Sequence, residues 1–225
     1  MTFQPVIKWS GSKRSQAEEI IKRFPREIDT YYEPFVGGGS VIKRLLSSDI
    51  KVNRYICSDL NSDLIGLWNL IKDNPILVAD TYETMWNEMN VDEDKGKKRQ
   101  YFYMVRERFN KKKNPLDFMF IMRTTTNGMP RYNLSGEFNN SFHITRNGIK
   151  PDTLRSIIIK WSEVLNEYNV EFICQDYQNI ITKPNDFMYL DPPYANTKGM
   201  YYGALDYNVF WEWLRKQPCS YALSF

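Results

Sequence analysis

Residues Asp191-Pro192-Pro193-Tyr194 follow the apolar run Phe187-Met188-Tyr189-Leu190 and offer a carboxylate, backbone carbonyls and an aromatic face side by side. A hydrophobic strand that stops at an acid and two prolines makes a rigid ledge at the carboxyl edge of a sheet, where open α/β sheets hold their ligands. Proline fixes φ and has no N–H, so both proline carbonyls are expected to stay open as acceptors. This set suits a flat ring with an exocyclic amino group. Acceptors on both amino hydrogens localise the nitrogen lone pair and offset the positive charge that grows on it during attack. The plain alternative is a strand and a proline-rich turn, with Tyr194 merely packing.

A second motif needs an element on each side of it. Glu33-Pro34-Phe35-Val36-Gly37-Gly38-Gly39-Ser40 lies between a β-like stretch (Thr30, Tyr31, Tyr32) and a helix-like run over 41–46. Strand, glycine loop and helix is the layout that brings backbone close to a nucleotide. Three glycines in a row are costly unless positive φ or room for a ligand is needed. The spacing is not Gly-x-Gly-x-x-Gly, which argues against a nicotinamide cofactor. A second strand over 54–58 ends at Asp59, 22 residues beyond Gly37, where an acid can accept from ribose hydroxyls. An acid at a strand end also occurs by chance.

Near the amino end, Lys8-Trp9-Ser10-Gly11-Ser12-Lys13 precedes a helical stretch over 14–24 closed by Pro25. Ser12 serves there as an N-cap, or the segment forms a lid over a methionine carboxylate; both readings stand.

Taken together, these motifs resemble the Dam-type DNA adenine-N6 methyltransferases, in the family's order and over nearly the whole chain. A further block, Asn127-Gly128-Met129-Pro130-Arg131-Tyr132-Asn133-Leu134-Ser135-Gly136-Glu137-Phe138-Asn139, resembles the family's DNA-contacting segment. The chain departs from the family nearby, with Thr124-Thr125-Thr126 where bulkier aromatics often stand. The resemblance implies S-adenosylmethionine as cofactor, held by Trp9, Lys13, Glu33, Phe35, Gly37, Gly39, Asp59, Asp176, Tyr177 and Asp191. It implies catalysis by Asp191, Pro192 and Tyr194 on a flipped adenine, with no metal, in a short site for which GATC is the first guess. DNA contacts are expected from Lys8, Lys111, Lys112, Asn127, Arg131 and Asn133. Arg pairs with guanine and Asn with adenine in the major groove, although Asn127-Gly128 also reads as a simple turn. Rival readings are amino-group transfer on cytosine, RNA or a protein glutamine, and a DNA-binding module without catalysis.

Charge placement agrees with a nucleic-acid partner. From 95 to 155 there are fourteen Lys or Arg against four Asp or Glu, within a chain of net charge +3. A basic insert in a nearly neutral chain is the footprint of a phosphate backbone, though any one Lys triplet can be a solvated face. His143 is the only histidine, which excludes histidine triads and histidine-rich metal sites. Cys57, Cys174 and Cys219 match no metal spacing and read as buried thiols in a reducing cytoplasm. No signal peptide or membrane span is visible.

At 225 residues and 42% apolar, the chain can bury one sizeable core with a smaller insert. The expected architecture is α/β: a Rossmann-like methyltransferase sheet from residues 1–64 and 157–225, carrying a mainly helical target-recognition insert over 65–156. Helices are expected over 63–72, 76–90, 99–110, 116–122, 152–168 and 207–216. The Asn- and Gly-rich stretch 124–148 is expected as a loop with one hairpin. Strands near 31–36, 54–58, 170–175, 187–190 and 220–225 number five, where the family resembles a seven-stranded sheet. The later strands are missing from this reading, leaving 221–225 as an apolar edge. The partner expected is double-stranded DNA, bound by a monomer or, on DNA, by a dimer.

Overall fold

Five short runs rich in aromatic and β-branched residues assemble into one parallel sheet in a computed structural model that describes residues 4–193 and 205–224. Tyr194 lies outside the described residues. The strands are β1 (Glu27–Glu33), β2 (Lys51–Asp59), β3 (Glu171–Cys174), β4 (Phe187–Leu190) and β5 (Ser220–Leu223), in the order β3-β2-β1-β4-β5. All four pairings are parallel. Every residue of β4 is buried, as suits an inner parallel strand. The flanking strands β3 and β5 are partly exposed.

The chain lays β1, β2 and β3 down in one direction, then returns to place β4 on the other side of β1. This makes the β1–β4 boundary the topological switch point, whose carboxyl end is the usual crevice for a ligand.

The helices are α1 (Ala17–Ile21), α2 (Ser40–Leu45), α3 (Ser62–Asp73), α4 (Pro75–Met89), α5 (Lys95–Lys112), α6 (Pro115–Thr124), α7 (Pro151–Glu167) and α8 (Tyr207–Arg215). Several starts are fixed by short polar side chains that satisfy orphan N–H groups. Asp94 accepts from Gly96 and Lys97, Asn114 from Leu116, and Asp206 from Asn208 and Val209. Ser12 does not cap a helix, which corrects one of the two readings of that residue. The Lys13 carbonyl accepts from the Gln16 and Ala17 N–H groups, and α1 starts only at Ala17. The Ser12 hydroxyl instead meets that of Ser40 at 2.6 Å.

Two compact units are present: the described residues within 12–65 and 164–225 form one, those within 3–11 and 66–163 the other. The first contains the sheet. Its core includes Tyr177, Ile180, Met188, Leu190, Phe210 and Leu214, with Phe35, Trp211 and Trp213 packed against it. The second is helical, built around Trp68 and Trp161 (ring centroids 4.8 Å apart) and around Phe109, whose ring lies 5.6 Å from that of Phe118. Of the three cysteines expected to be buried, Cys57 and Cys219 are; Cys174, at the end of the outer strand β3, is exposed. Among the described residues, no helix is long and apolar enough to cross a membrane.

Phe210 is fully buried and its ring lies 5.4 Å from Tyr177 and 6.2 Å from Phe35. Replacing it by Ala removes a large side chain from the centre of this cluster. The expected loss is about 3–5 kcal/mol of stability, read from urea unfolding.

Candidate active site

Glu33 and Asp191 stand at the carboxyl ends of β1 and β4, on the two sides of the switch point. Lys13 reaches Asp191 Oδ1 with its ammonium at 2.5 Å; the side chains are 8% and 19% exposed. Burial raises the Asp191 carboxyl above its ordinary value, and the hydrogen bond and charge of Lys13 oppose that rise. The lysine thus keeps a desolvated acid closer to its ionised form.

Glu33 is only 2% exposed and accepts a hydrogen bond from the Tyr31 hydroxyl at 2.7 Å. Burial pushes it up to about 8; the Tyr31 hydrogen bond opposes this, the charge of Asp191 adds to it, and the Ile42 backbone opposes it. In register beside it on β2 lies Cys57, whose thiol is raised by burial first and by Glu33 second.

The turn from β1 into α2 supplies the backbone of the site. Gly37 and Gly39 have φ of 47° and 67°, a region that glycine enters without penalty. The Val36 N–H donates to the Ser58 carbonyl and the Gly37 N–H to Asp59 Oδ2 at 3.2 Å, tying the loop to the end of β2. Asp59 Oδ1 accepts from the Asn61 N–H at 3.0 Å. Burial raises Asp59 to about 6, against the backbone donors of Asn61, Gly37 and Leu60. A carboxylate has about four acceptor positions, so these bonds leave Asp59 capacity for ligand hydroxyls. Asp176 caps a short turn by accepting from Gln178, and Tyr177 packs among Phe35, Phe210 and Trp213. Phe35 and Tyr177 rings are 5.7 Å apart.

The ledge itself differs from expectation in one respect. The Pro193 carbonyl is engaged by the Tyr207 hydroxyl, at the first turn of α8. One lone pair of the Pro193 carbonyl is thus engaged, and the carbonyl of buried Pro192 is the candidate acceptor. Tyr194, the fourth ledge residue, is outside the described residues.

In the second unit, Lys8 and Trp9 belong to an arm that is clasped at three points. The Trp161 Nε1–H donates to the Gln4 carbonyl at 2.9 Å, Arg123 to the Pro5 carbonyl at 2.7 Å, and the Ser10 N–H to the Gly128 carbonyl at 3.0 Å. Asn127 and Gly128 have φ of 59° and 62°, the paired left-handed conformation favoured by Asn-Gly turns. A Cβ on Gly128 would come within 2.7 Å of the Lys8 carbonyl oxygen, so only glycine fits under the arm.

After α6, the stretch 125–148 is a loop with one short 3-10 turn (Thr126–Gly128) and two isolated antiparallel bridges, Thr125 with Phe142 and Tyr132 with Phe138. Asparagine amides hold its shape. Asn110 both donates to and accepts from the Phe138 backbone, and Asn140 donates to the Thr126 and Met129 carbonyls. Asn133 accepts from the Ser135 and Glu137 N–H groups and donates to the Glu137 carboxylate. Its amide thus staples the turn, with one of its two N–H donors engaged on Glu137. Asn127 and Arg131 are exposed.

The basic clusters are less free than their sequence suggests. Lys111 pairs with Glu107 at 2.6 Å, Lys97 with Asp92 at 2.7 Å, and buried Lys98 with Glu93 at 3.1 Å. Lys113 donates to the Gly136 carbonyl and lies 4.9 Å from the Phe109 ring centre. Lys112 is exposed.

From sequence, Glu33 stands out only as a member of the glycine motif; its burial beside Asp191 follows from strand order, which no local pattern encodes. Because the folded chain holds the Glu33 proton more tightly than the unfolded chain (ordinary value 4.5), this group's stabilisation is complete below about pH 4.5. It is lost as pH rises toward about 8. Glu33→Gln is expected to flatten this fall, so that urea unfolding at about pH 8 finds the variant more stable than the parent by on the order of 1–3 kcal/mol.

Comparison with known proteins gives the same direction. Residues 9–213 match the family described as D12 class N6 adenine-specific DNA methyltransferase. The chain is 32% identical over 211 residues to the Type II methyltransferase M.MjaIII of Methanocaldococcus jannaschii, covering 86% of this chain and 70% of that protein. It is 34% identical over 195 residues to the DNA adenine methylase of Escherichia coli K12, covering 84% and 64%. It is 33% identical over 211 residues to that of Haemophilus influenzae, covering 87% and 65%. The chain spans about two thirds of the length of these relatives. With a parallel sheet whose switch point carries Asp191 and the glycine turn, and with this match over most of its length, the chain belongs to the D12 class of N6 adenine-specific DNA methyltransferases.

Proposed function

We propose that this protein is a site-specific DNA adenine methyltransferase that uses S-adenosylmethionine. The observation that carries the reading is the Lys13–Asp191 pair at the β1–β4 switch point, beside a backbone turn with two left-handed glycines. When bound, S-adenosylmethionine supplies an electrophilic methyl group on a sulfonium sulfur. The turn Val36–Gly39 approaches the ligand with backbone alone, Asp59 accepts from ribose hydroxyls, and Phe35, Asp176 and Tyr177 border the remainder.

Asp191 does the chemical work through its second oxygen. Lys13 occupies Oδ1 and fixes the carboxylate. Oδ2 and the Pro192 carbonyl then accept the two amino hydrogens of an adenine turned out of the duplex. These acceptors draw the lone pair out of the ring and offset the charge that develops on nitrogen. Tyr194 offers a stacking face worth roughly 1–3 kcal/mol, comparable to the few kcal/mol that extrusion of a base costs. Alignment of this kind can supply roughly 7–11 kcal/mol of the barrier.

The second unit is the target-recognition domain on this reading. Lys8, Lys111 and Lys112 are its phosphate contacts, with Lys111 exchanging Glu107 for phosphate. Asn127 and Arg131 read base edges in a short site such as GATC, while Asn133 shapes the turn that presents them.

Asp191→Ala is expected to abolish transfer of labelled methyl groups to duplex DNA while calorimetry still detects cofactor binding. Full transfer by that variant would overturn the assignment. Arg131→Ala is expected to cost about 1–3 kcal/mol in discrimination at one base pair and to relax the preference there. Competition between duplexes that differ at single positions measures it.

A further inference from the structure

Two acids stand at the switch point, and among the described residues only Asp191 has a cation. Lys13 sits on Asp191 at 2.5 Å, whereas the side-chain donor to Glu33 is the neutral hydroxyl of Tyr31 at 2.7 Å. The other groups around Glu33 come from every neighbouring element. Cys57 flanks it from β2, Asp191 from the end of β4 with Lys13 attached, and the Ile42 backbone from α2. Tyr189 on β4 faces Tyr31 in turn. An ionised Glu33 would add a second buried negative charge near that of Asp191, whose ammonium partner is Lys13. Such a carboxyl keeps its proton until a further positive charge arrives.

We propose that Glu33 reads the charge of the methyl donor: it stays protonated in the ligand-free crevice and gives its proton to solvent when a cationic sulfonium binds there. The proposal deepens the S-adenosylmethionine reading and rests on it. Before transfer the ligand carries a positive sulfur, which stabilises the second carboxylate. After transfer the sulfur is a neutral thioether, Glu33 takes a proton back from solvent, and the attraction that favoured the donor is gone. The same carboxyl therefore favours entry of the donor over retention of the product. A value near 8 for Glu33 means that most molecules hold the proton at neutral pH.

The test is isothermal calorimetry of the full chain in two buffers with different ionisation enthalpies, near pH 7. The ligands are S-adenosylmethionine and its thioether product, S-adenosylhomocysteine. The parent protein is expected to release close to one more proton per site with the sulfonium than with the thioether. Its sulfonium affinity should rise by up to roughly tenfold per pH unit below the Glu33 value, with thioether affinity nearly flat. Glu33→Gln should lose the excess release and the slope; subtracting it removes contributions from the ligand amino group and from Asp59. Equal proton release with the two ligands in the parent protein overturns the proposal, even if the variant does not fold, and so does undiminished release in the variant. Absence of any S-adenosylmethionine binding sinks the methyltransferase reading itself, whereas binding without proton release sinks the role of Glu33 alone.

Discussion

Acidic groups held largely out of water at the β1–β4 boundary are the constraint around which the sheet-containing unit is arranged. The strand order β3-β2-β1-β4-β5 puts two acidic strand ends, Glu33 and Asp191, next to one another. Both are desolvated, and desolvation of an acid is tolerated only with a cation, with donors, or with a retained proton. Asp191 has the cation, Lys13. Glu33 has the Tyr31 hydroxyl, and burial pushes its carboxyl up to about 8. Under the proposed function the two solutions suit different tasks: a carboxylate that accepts from an amino group has to be ionised, and the buried Lys13 favours that form.

The supporting shell explains how these acids stay in place. Asp59, on the neighbouring strand, ties the glycine turn to β2 through the Gly37 N–H. Behind the ledge, Tyr207 holds the Pro193 carbonyl, and α8 buries Phe210 and Leu214 in the aromatic cluster. The capping carboxylate of Asp206 starts that helix one residue before Tyr207. Positioning of the ledge therefore depends on residues after it in sequence as much as on β4 itself.

Much of this arrangement is legible in the amino-acid sequence. Phe187–Leu190 is continuous and apolar because an inner parallel strand is covered on both faces, and the run reads as a strand for that reason. The five strands and the helical character of α3 to α8 follow from periodicity, with ends shifted by a few residues. What local patterns do not supply is adjacency. Glu33 and Asp191 are far apart in sequence, and only the return of β4 to the side of β1 makes them neighbours. Ser12 resembles a cap because it precedes an amphipathic stretch, but residues 14–16 turn before the helix begins and the hydroxyl finds Ser40. Cys174 reads as buried because it ends a strand-like run, yet β3 is an outer strand. The Asn-rich loop is recognisable as a loop. That Asn133 and Asn140 bond the loop's own backbone is not, since composition alone does not distinguish a staple from a contact.

The division of labour within that loop has an evolutionary reach. Asn110, Asn133 and Asn140 fix its course by bonds to its main chain, while Asn127 and Arg131 project from it. Under the proposed reading, exchanging the exposed pair leaves the scaffold standing, so a lineage can drift to another DNA word one side chain at a time without first losing a folded enzyme.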